Sequence, residues 1–408
     1  MAKPDSLESN KHKSALSEPL FLRYFPSSCF STISGWLVRF LLGWSAWELT
    51  HSALWVGVVA GAMLFPTLLL SPIFGIISDR INPRNGLLIT VSVHALVAGI
   101  AGLTYLFGWF TLPWLILLAT LLGAASAAHT PIRLALIPRL VTRDALPSAI
   151  GYSAIIFNTS RILGPALGAW LITQTSMPMA FFTAVLLLTI ALVFLLSVRI
   201  TQPEERRENS PFLNELKAGF SYVKRHRGIR LILAFTLING LLGRTVIELL
   251  PALSGKLLNG DSRTLATLTA AAGVGSIIGG LIVSRQSGNE HRLLNLVMGS
   301  LLLGALALLG IGQLDELSAL CAAIACISMI TTIVGTCSQA LTQLVVDEDY
   351  RGRVMSLWAV LALGSPAIGT LAMGALADVL GFPTVLTAFA LLSIPAVLFL
   401  YKRRNWLI

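Results

Sequence analysis

Twelve long apolar runs, few of them interrupted by charge, constrain this chain more than any motif does. They lie near residues 21–48, 54–76, 86–108, 112–131, 149–174 and 178–198; after a polar stretch at 199–228 come 229–254, 265–284, 292–312, 316–339, 352–377 and 382–401. At about 1.5 Å rise per residue, runs of about twenty residues cross the roughly 30 Å hydrocarbon core of a bilayer. A segment crossing that core must satisfy its own backbone N–H and C=O groups, so the runs read as helices. With 55% apolar and 12% charged residues among 408, the chain has more apolar surface than a soluble domain could hide. Pro66, Pro72, Pro165 and Pro366 fall inside the runs and are expected to kink them. Met1 to Pro19 is polar and basic and has no short apolar run ending at small residues, so the first helix is expected to be retained rather than cleaved.

A net charge of +10 would suggest a nucleic-acid partner in a soluble chain, but here the placement of charge matters more. Arg39, Arg161 and Arg244 fall within or close to spans. Of the remaining Lys and Arg residues, only Lys256 and Arg263 fall on the side opposite the termini. That skew predicts a multi-pass inner-membrane protein with both termini, the 199–228 linker and the tail from Lys402 in the cytoplasm. The cluster Lys224, Arg225, Arg227 and Arg230 then reads as a topology anchor, and no nucleic-acid partner is expected. Cys29, Cys321, Cys326 and Cys337 lack paired spacing and suggest neither disulfide nor metal site.

A repeat at an offset of 205 residues organises the chain. It carries Gly35 onto Gly240, Arg39 onto Arg244, Gly75 onto Gly280, Arg80 onto Arg285, Val141 onto Val346, Asp144 onto Asp349 and Gly164 onto Gly369. Six spans are an even number, so the second half repeats the first with the same orientation. The expected fold is therefore an all-α integral membrane protein of twelve helices in two parallel-repeat six-helix bundles, 21–198 and 229–401, with a cytoplasmic tail at 1–20, a linker at 199–228 and a tail at 402–408. Parallel halves fit alternating access by rocking about a central path.

Between spans 2 and 3 lies Gly75-Ile-Ile-Ser-Asp79-Arg80-Ile-Asn-Pro83-Arg84-Asn85. This resembles the major facilitator superfamily, whose signature at this loop is a glycine, an Asp-Arg or Asp-Lys pair four residues on, and further basic residues. Pro83 stands where a glycine is common, and Asn85 replaces the second member of the final basic pair. The second-half counterpart keeps Gly280 and Arg285 but has Ser284 in place of the aspartate. Pro131-Ile-Arg133, Leu136-Ile-Pro138, Asn158-Thr-Ser-Arg161-Ile-Leu-Gly164-Pro165-Ala-Leu-Gly168, Arg351-Gly-Arg353 and Gly374-Ala-Leu-Ala-Asp378 are similar to the exporter branch that includes bacterial macrolide efflux proteins and the enterobactin exporter. The resemblance implies secondary export from the cytoplasm, commonly by proton antiport. The loop residues Gly75, Asp79, Arg80 and Arg84, with Arg285 in the second half, read as a cytoplasmic gate or else as a topology anchor alone; Arg161, at the cytoplasmic part of span 5, is expected to help close that gate or to hold a neighbouring span, and helix packing is expected through Asn158, Gly164, Pro165, Gly168 and Gly369.

The spans carry their own clue. Arg39 and Arg244 occupy equivalent depths, and Glu248 lies one turn beyond Arg244. Ionisable groups at that depth normally face water or one another. Two readings stand: the arginines bind an anionic cargo, with Trp36 lining an aromatic part of the pocket, or they form structural ion pairs with Glu248. Glu248 is the candidate proton-coupling carboxylate, whereas Glu48 and Asp378, nearer the external ends, are poorer ones. There is no phosphate-binding Gly-rich loop with Lys-Ser or Lys-Thr, no His spacing for zinc and no Ser-His-Asp relay. An enzyme, a metal site or a cofactor is therefore not expected. The expected function is export of an amphipathic organic compound, with an anionic siderophore as the pointed option, by a monomer exchanging it for protons. Hydrophobic drug efflux is the alternative, and a non-transporting binding or sensory protein is a lesser one.

Overall fold

The computed structural model describes residues 14–78, 81–200, 220–286, 290–347 and 350–403, all of them helical or in short connections. In chain order the helices are α1 (Pro19–Thr50), α2 (Ala53–Ser78), α3 (Pro83–Leu106), α4 (Leu112–Leu136), α5 (Leu146–Gln174) and α6 (Met177–Leu196). The seventh, α7, is interrupted: Arg227–Asn239 runs into a π-turn at Gly240–Arg244, then Thr245–Glu248, then, past Leu249, Leu250–Leu258. There follow α8 (Ser262–Ser284), α9 (Glu290–Ile311), α10 (Leu317–Val345), α11 (Arg351–Leu380) and α12 (Phe382–Lys402). Among the described residues, 11 helices are long and apolar enough to cross a membrane, so the protein is an all-α, multi-pass membrane protein.

The long helix α1 falls outside that set because of its polar residues. They are largely turned inward: Ser27, Ser28, Ser34 and Ser45 are buried, the Ser34 hydroxyl donates to Ala184 O of α6 at 3.0 Å, and Tyr105 of α3 donates its hydroxyl to Ser45 at 2.8 Å. Such side chains hold neighbouring helices together where no water competes.

Local chemistry sets the ends of several helices. The Asn82 side chain accepts the Arg84 N–H at 3.0 Å and the Asp261 side chain accepts the Thr264 N–H at 3.0 Å, which caps α3 and α8. His51 and Asn259 take left-handed backbone (φ 48° and 47°) as C-caps of α1 and of the last segment of α7. The expected seventh span, continuous over 229–254, differs from the structure. The π-turn and the break at Leu249 divide it, and the Thr245 hydroxyl back-bonds to Gly240 O at 2.9 Å inside the turn.

Two families of contacts organise the helices. In the first half α1 packs on α5 and α6, α2 on α4, and α3 on α4 and α6; in the second, α8 packs on α10, α9 on α10 and α12, and α7 on α10 and α11. The halves meet along α2 with α11 and α5 with α8. Glycines permit the closest approaches. A Cβ added at Gly164 of α5 would lie 2.6 Å from Trp36 Cβ of α1, and one at Gly369 of α11 would lie 3.1 Å from Leu241 O of α7. The pairs α5/α1 and α11/α7 correspond under the 205-residue offset.

Candidate substrate cavity

α1, α2, α5, α7 and α8 enclose a cavity holding about 730 Å³ of empty space, part of it open to solvent. Its wall is mainly apolar, with Phe40, Val56, Met63 and Leu265 among the lining side chains, and its polar groups are few: Arg39, Arg161, Arg244, Glu248 and the hydroxyl of Thr269.

Glu248 is the hub. Arg39 of α1 donates from Nη2 to Glu248 Oε2 at 2.5 Å, and Arg244 donates from Nε to Oε1 at 3.2 Å. One carboxylate thus engages guanidiniums from both halves. The Glu248 side chain is 9% exposed, whereas those of Arg39 and Arg244 are 29% and 40% exposed, so the two cations keep donors facing the cavity. Arg244 ends the π-turn and Glu248 ends the short helix after it, one regular helical turn apart. Irregular turns of this kind are often found where a helix positions functional groups. Trp36 stands beside them, its ring edge-to-face with Phe157 at 5.5 Å.

Arg161, expected to help close the cytoplasmic gate or to hold a neighbouring span, reaches α8 and lines this cavity. Its Nη1 donates to Ser276 of α8 at 2.8 Å and its guanidinium lies 5.8 Å from the Trp36 ring centroid. Arg84, also expected at the gate, turns inward on its own half: Nε donates to Leu195 O at 3.3 Å and Nη2 to Leu196 O at 2.9 Å, capping the C-terminus of α6. A cation at that end complements the helix dipole. Arg285 is the exposed C-cap of α8, and Gly75 lies in the last turns of α2. Asp79 and Arg80, with residues 201–219 of the linker and the tail from Arg404, lie outside the described residues.

The expected packing motif divides. Gly164 and Gly168 lie against α1, the latter with a Cβ position 2.7 Å from a ring carbon of Phe40; Gly369 lies against α7, and Pro165 lines the cavity. The Asn158 side-chain amide donates back to Ala154 O of its own helix at 2.9 Å, and among the described residues it makes no hydrogen bond to a neighbouring helix.

A second constellation escaped sequence reasoning. Asp378, in the last turn of α11, accepts the Ala53 N–H at 2.8 Å, the Leu54 N–H at 2.9 Å and the Ser52 hydroxyl at 2.5 Å, and pairs with Lys256 Nζ at 2.5 Å. It caps the N-terminus of α2 and joins the two halves at the end of the helices opposite the 199–228 linker. The usable signal was Lys256, one of two cations on that side, opposite an aspartate at a helix end.

Comparison with known proteins agrees with this architecture. The chain is 28% identical over 380 residues to the staphyloferrin A transporter of Staphylococcus aureus, covering 92% of this chain and 93% of that protein. It is 24% identical over 368 residues to macrolide efflux protein A of Streptococcus pyogenes, covering 88% and 90%. The crystal structure of a POT family transporter in complex with 5-aminolevulinic acid superposes with a TM-score of 0.71 at 15% identity, covering 94% of this chain and 96% of that one, which establishes a shared transporter fold. The sequence profile described as transmembrane secretion effector matches residues 12–405, and this protein accordingly belongs to that family of secondary transporters within the major facilitator superfamily.

Proposed function

We propose that this protein is a secondary active exporter of an amphipathic organic anion, working by alternating access and exchanging its cargo for protons. In this reading twelve helices form two parallel six-helix bundles, 21–198 and 229–401. The linker 199–228 and both termini face the cytoplasm, and the protein acts as a monomer in the bacterial inner membrane. The 205-residue offset, the matched α5/α1 and α11/α7 approaches and the basic linker support this arrangement.

The observation that carries the proposal is the convergence of Arg39 and Arg244, one from each half, on a single carboxylate in the central cavity. Glu248 cannot neutralise both guanidiniums, so positive charge is left for a cargo, and Arg offers fixed, two-pronged geometry to carboxylates. A siderophore is the pointed cargo, supported by the likeness to the staphyloferrin A transporter. Glu248 is the proposed proton site, and the loop from Gly75 through Asp79 and Arg80 is the proposed cytoplasmic gate. A second reading, efflux of a hydrophobic drug, is favoured by the apolar wall and by the likeness to macrolide efflux protein A.

The test is transport in proteoliposomes with matched anionic and neutral amphipathic cargos, normalised to inserted protein. An anion leaving a negative interior gains about 2.3 kcal/mol per charge per 100 mV, so the pH gradient and the potential are imposed separately. Arg39→Gln and Arg244→Gln should lower anion transport while neutral cargo is less affected, and Glu248→Gln should lose the response to the pH gradient. Anion transport unchanged in both arginine variants rejects cargo recognition by the pair. A pH-gradient response undiminished in Glu248→Gln removes that residue as the coupling site.

A further inference from the structure

The charges of the cavity do not balance. Three guanidiniums, those of Arg39, Arg161 and Arg244, share it with the single carboxylate of Glu248, which leaves two positive charges among the described lining residues. Arg161 is the least compensated. The residue is 9% exposed, yet among the described residues the ion pairs are Arg39 with Glu248, Arg244 with Glu248 and Lys256 with Asp378, and none includes Arg161. Its partners are neutral: the Ser276 hydroxyl, which itself lies 2.8 Å from the Thr332 hydroxyl of α10, and the Trp36 ring.

A buried guanidinium without a direct ion pair is costly, and one hydroxyl and one ring face repay only part of that cost. Groups held at such cost normally mark where a ligand supplies the missing charge. The hydrogen bond to Ser276 uses one of five donors and fixes the side chain between α5 and α8, leaving the remainder of the planar fork for an acceptor. Arg39 and Arg244 each spend one nitrogen on Glu248 and keep the others.

We propose that Arg161 is a specificity residue of this cavity, and that the cargo carries two anionic groups, such as two carboxylates on an amphipathic skeleton. One is received by Arg39 and Arg244 and the second by Arg161. The inference rests on the proposed reading of Arg39 and Arg244 as cargo-binding residues and adds the charge class of the cargo. A dianion would complete the local balance, whereas a monoanion would leave Arg161 buried and unpaired.

Binding to the purified protein in lipid nanodiscs can be followed with three fluorescent probes that share one skeleton: 2,6-naphthalenedicarboxylate, its monomethyl ester and its dimethyl ester. The wild type should bind the dianion at least about tenfold tighter than the monoanion, equivalent to about 1.4 kcal/mol. Arg161→Gln should lower dianion affinity much more than monoanion affinity and so abolish that preference, and Arg161→Lys, which keeps the charge, should retain part of it. A merely structural Arg161 would lower affinity for all three probes, or the melting temperature alone, without changing the dianion-to-monoanion ratio, and that overturns the inference. Monoanion and dianion binding equally well to the wild type overturns it too, while leaving the anion reading of Arg39 and Arg244 intact. If neither anion binds better than the diester, both fall together.

Discussion

The carboxylate of Asp378, at the end of α11, accepts the backbone N–H of Ala53 at the start of α2 at 2.8 Å, although the two residues lie 325 positions apart. With the Leu54 N–H and the Lys256 ammonium on the same carboxylate, this contact joins the halves at the end of the helices opposite the 199–228 linker. It has to break whenever that end opens. A charge-assisted hydrogen bond contributes about 1.5–3 kcal/mol, enough to shift a two-state equilibrium about tenfold or more. Asp378→Asn should therefore favour the state open at that end. Val56, 2% exposed in the cavity wall, reports it: in the proposed topology a Val56→Cys thiol should react several-fold faster with an impermeant maleimide added outside when Asp378→Asn is also present. Equal labelling with and without that substitution rules out the contact as a closure.

The Arg39 and Glu248 side chains should behave as one unit. Each of Arg39→Gln and Glu248→Gln leaves a polar partner unmatched, so each should lower thermal stability. The double variant should lose less than the sum of the singles, by an interaction energy of about 1–3 kcal/mol. Melting of the four proteins in nanodiscs measures that term. Strict additivity would show that the close contact contributes no coupling.

Gly164 should tolerate no side chain. A Cβ there would lie 2.6 Å from Trp36 Cβ and 2.9 Å from the Leu37 amide nitrogen, neither of them the free end of a flexible chain. Gly164→Ala should cost about 1–3 kcal/mol through forced separation of α1 and α5. Melting temperature and the yield of inserted protein read the effect. An unaltered melting temperature would mean that α1 shifts freely, contrary to its packing on both α5 and α6.

Asp261 caps α8 in the loop after α7, and its bonds to the Thr264 N–H hold its carboxyl below the usual carboxylate range. A depressed folded pKa gives stability that is present above the unfolded value, near pH 4, and lost as pH falls through the folded value. Asp261→Ala should cost about 1 kcal/mol near neutrality. The melting-temperature gap from wild type should narrow as pH is lowered through the carboxylate range, and a gap independent of pH would exclude the cap. In the proposed topology Asp261→Cys should also be labelled from outside the cell; labelling only from the cytoplasm would invert the orientation.

Membrane class, the approximate position of the helices, the 205-residue offset and the pairing of Arg244 with Glu248 were legible in the sequence. Each depends on local composition or chain distance: a run of about twenty apolar residues needs no partner to declare itself, and Glu248 four residues after Arg244 must share its helix face. The helix rotations, by contrast, were legible only in part. Hydropathy is nearly uniform around a lipid-facing helix, so nothing in the order of residues shows that Arg161 turns to Trp36 and the cavity rather than to a gate, or that Asn158 turns back on its own helix. The π-turn of α7 was hidden for a similar reason: Gly240–Arg244 reads as ordinary helix until Gly240 meets Ser365 of α11 and Gly243 meets Thr331 of α10. Asp378 appeared too close to a helix end to matter, because its role depends on the unpaired N–H groups of a helix in the opposite half. The length of the apolar runs decided that this protein crosses the membrane, whereas the packing of one half against the other decided which of its charges face each other, since only through-space contact between distant segments can choose one rotation of an apolar helix over another.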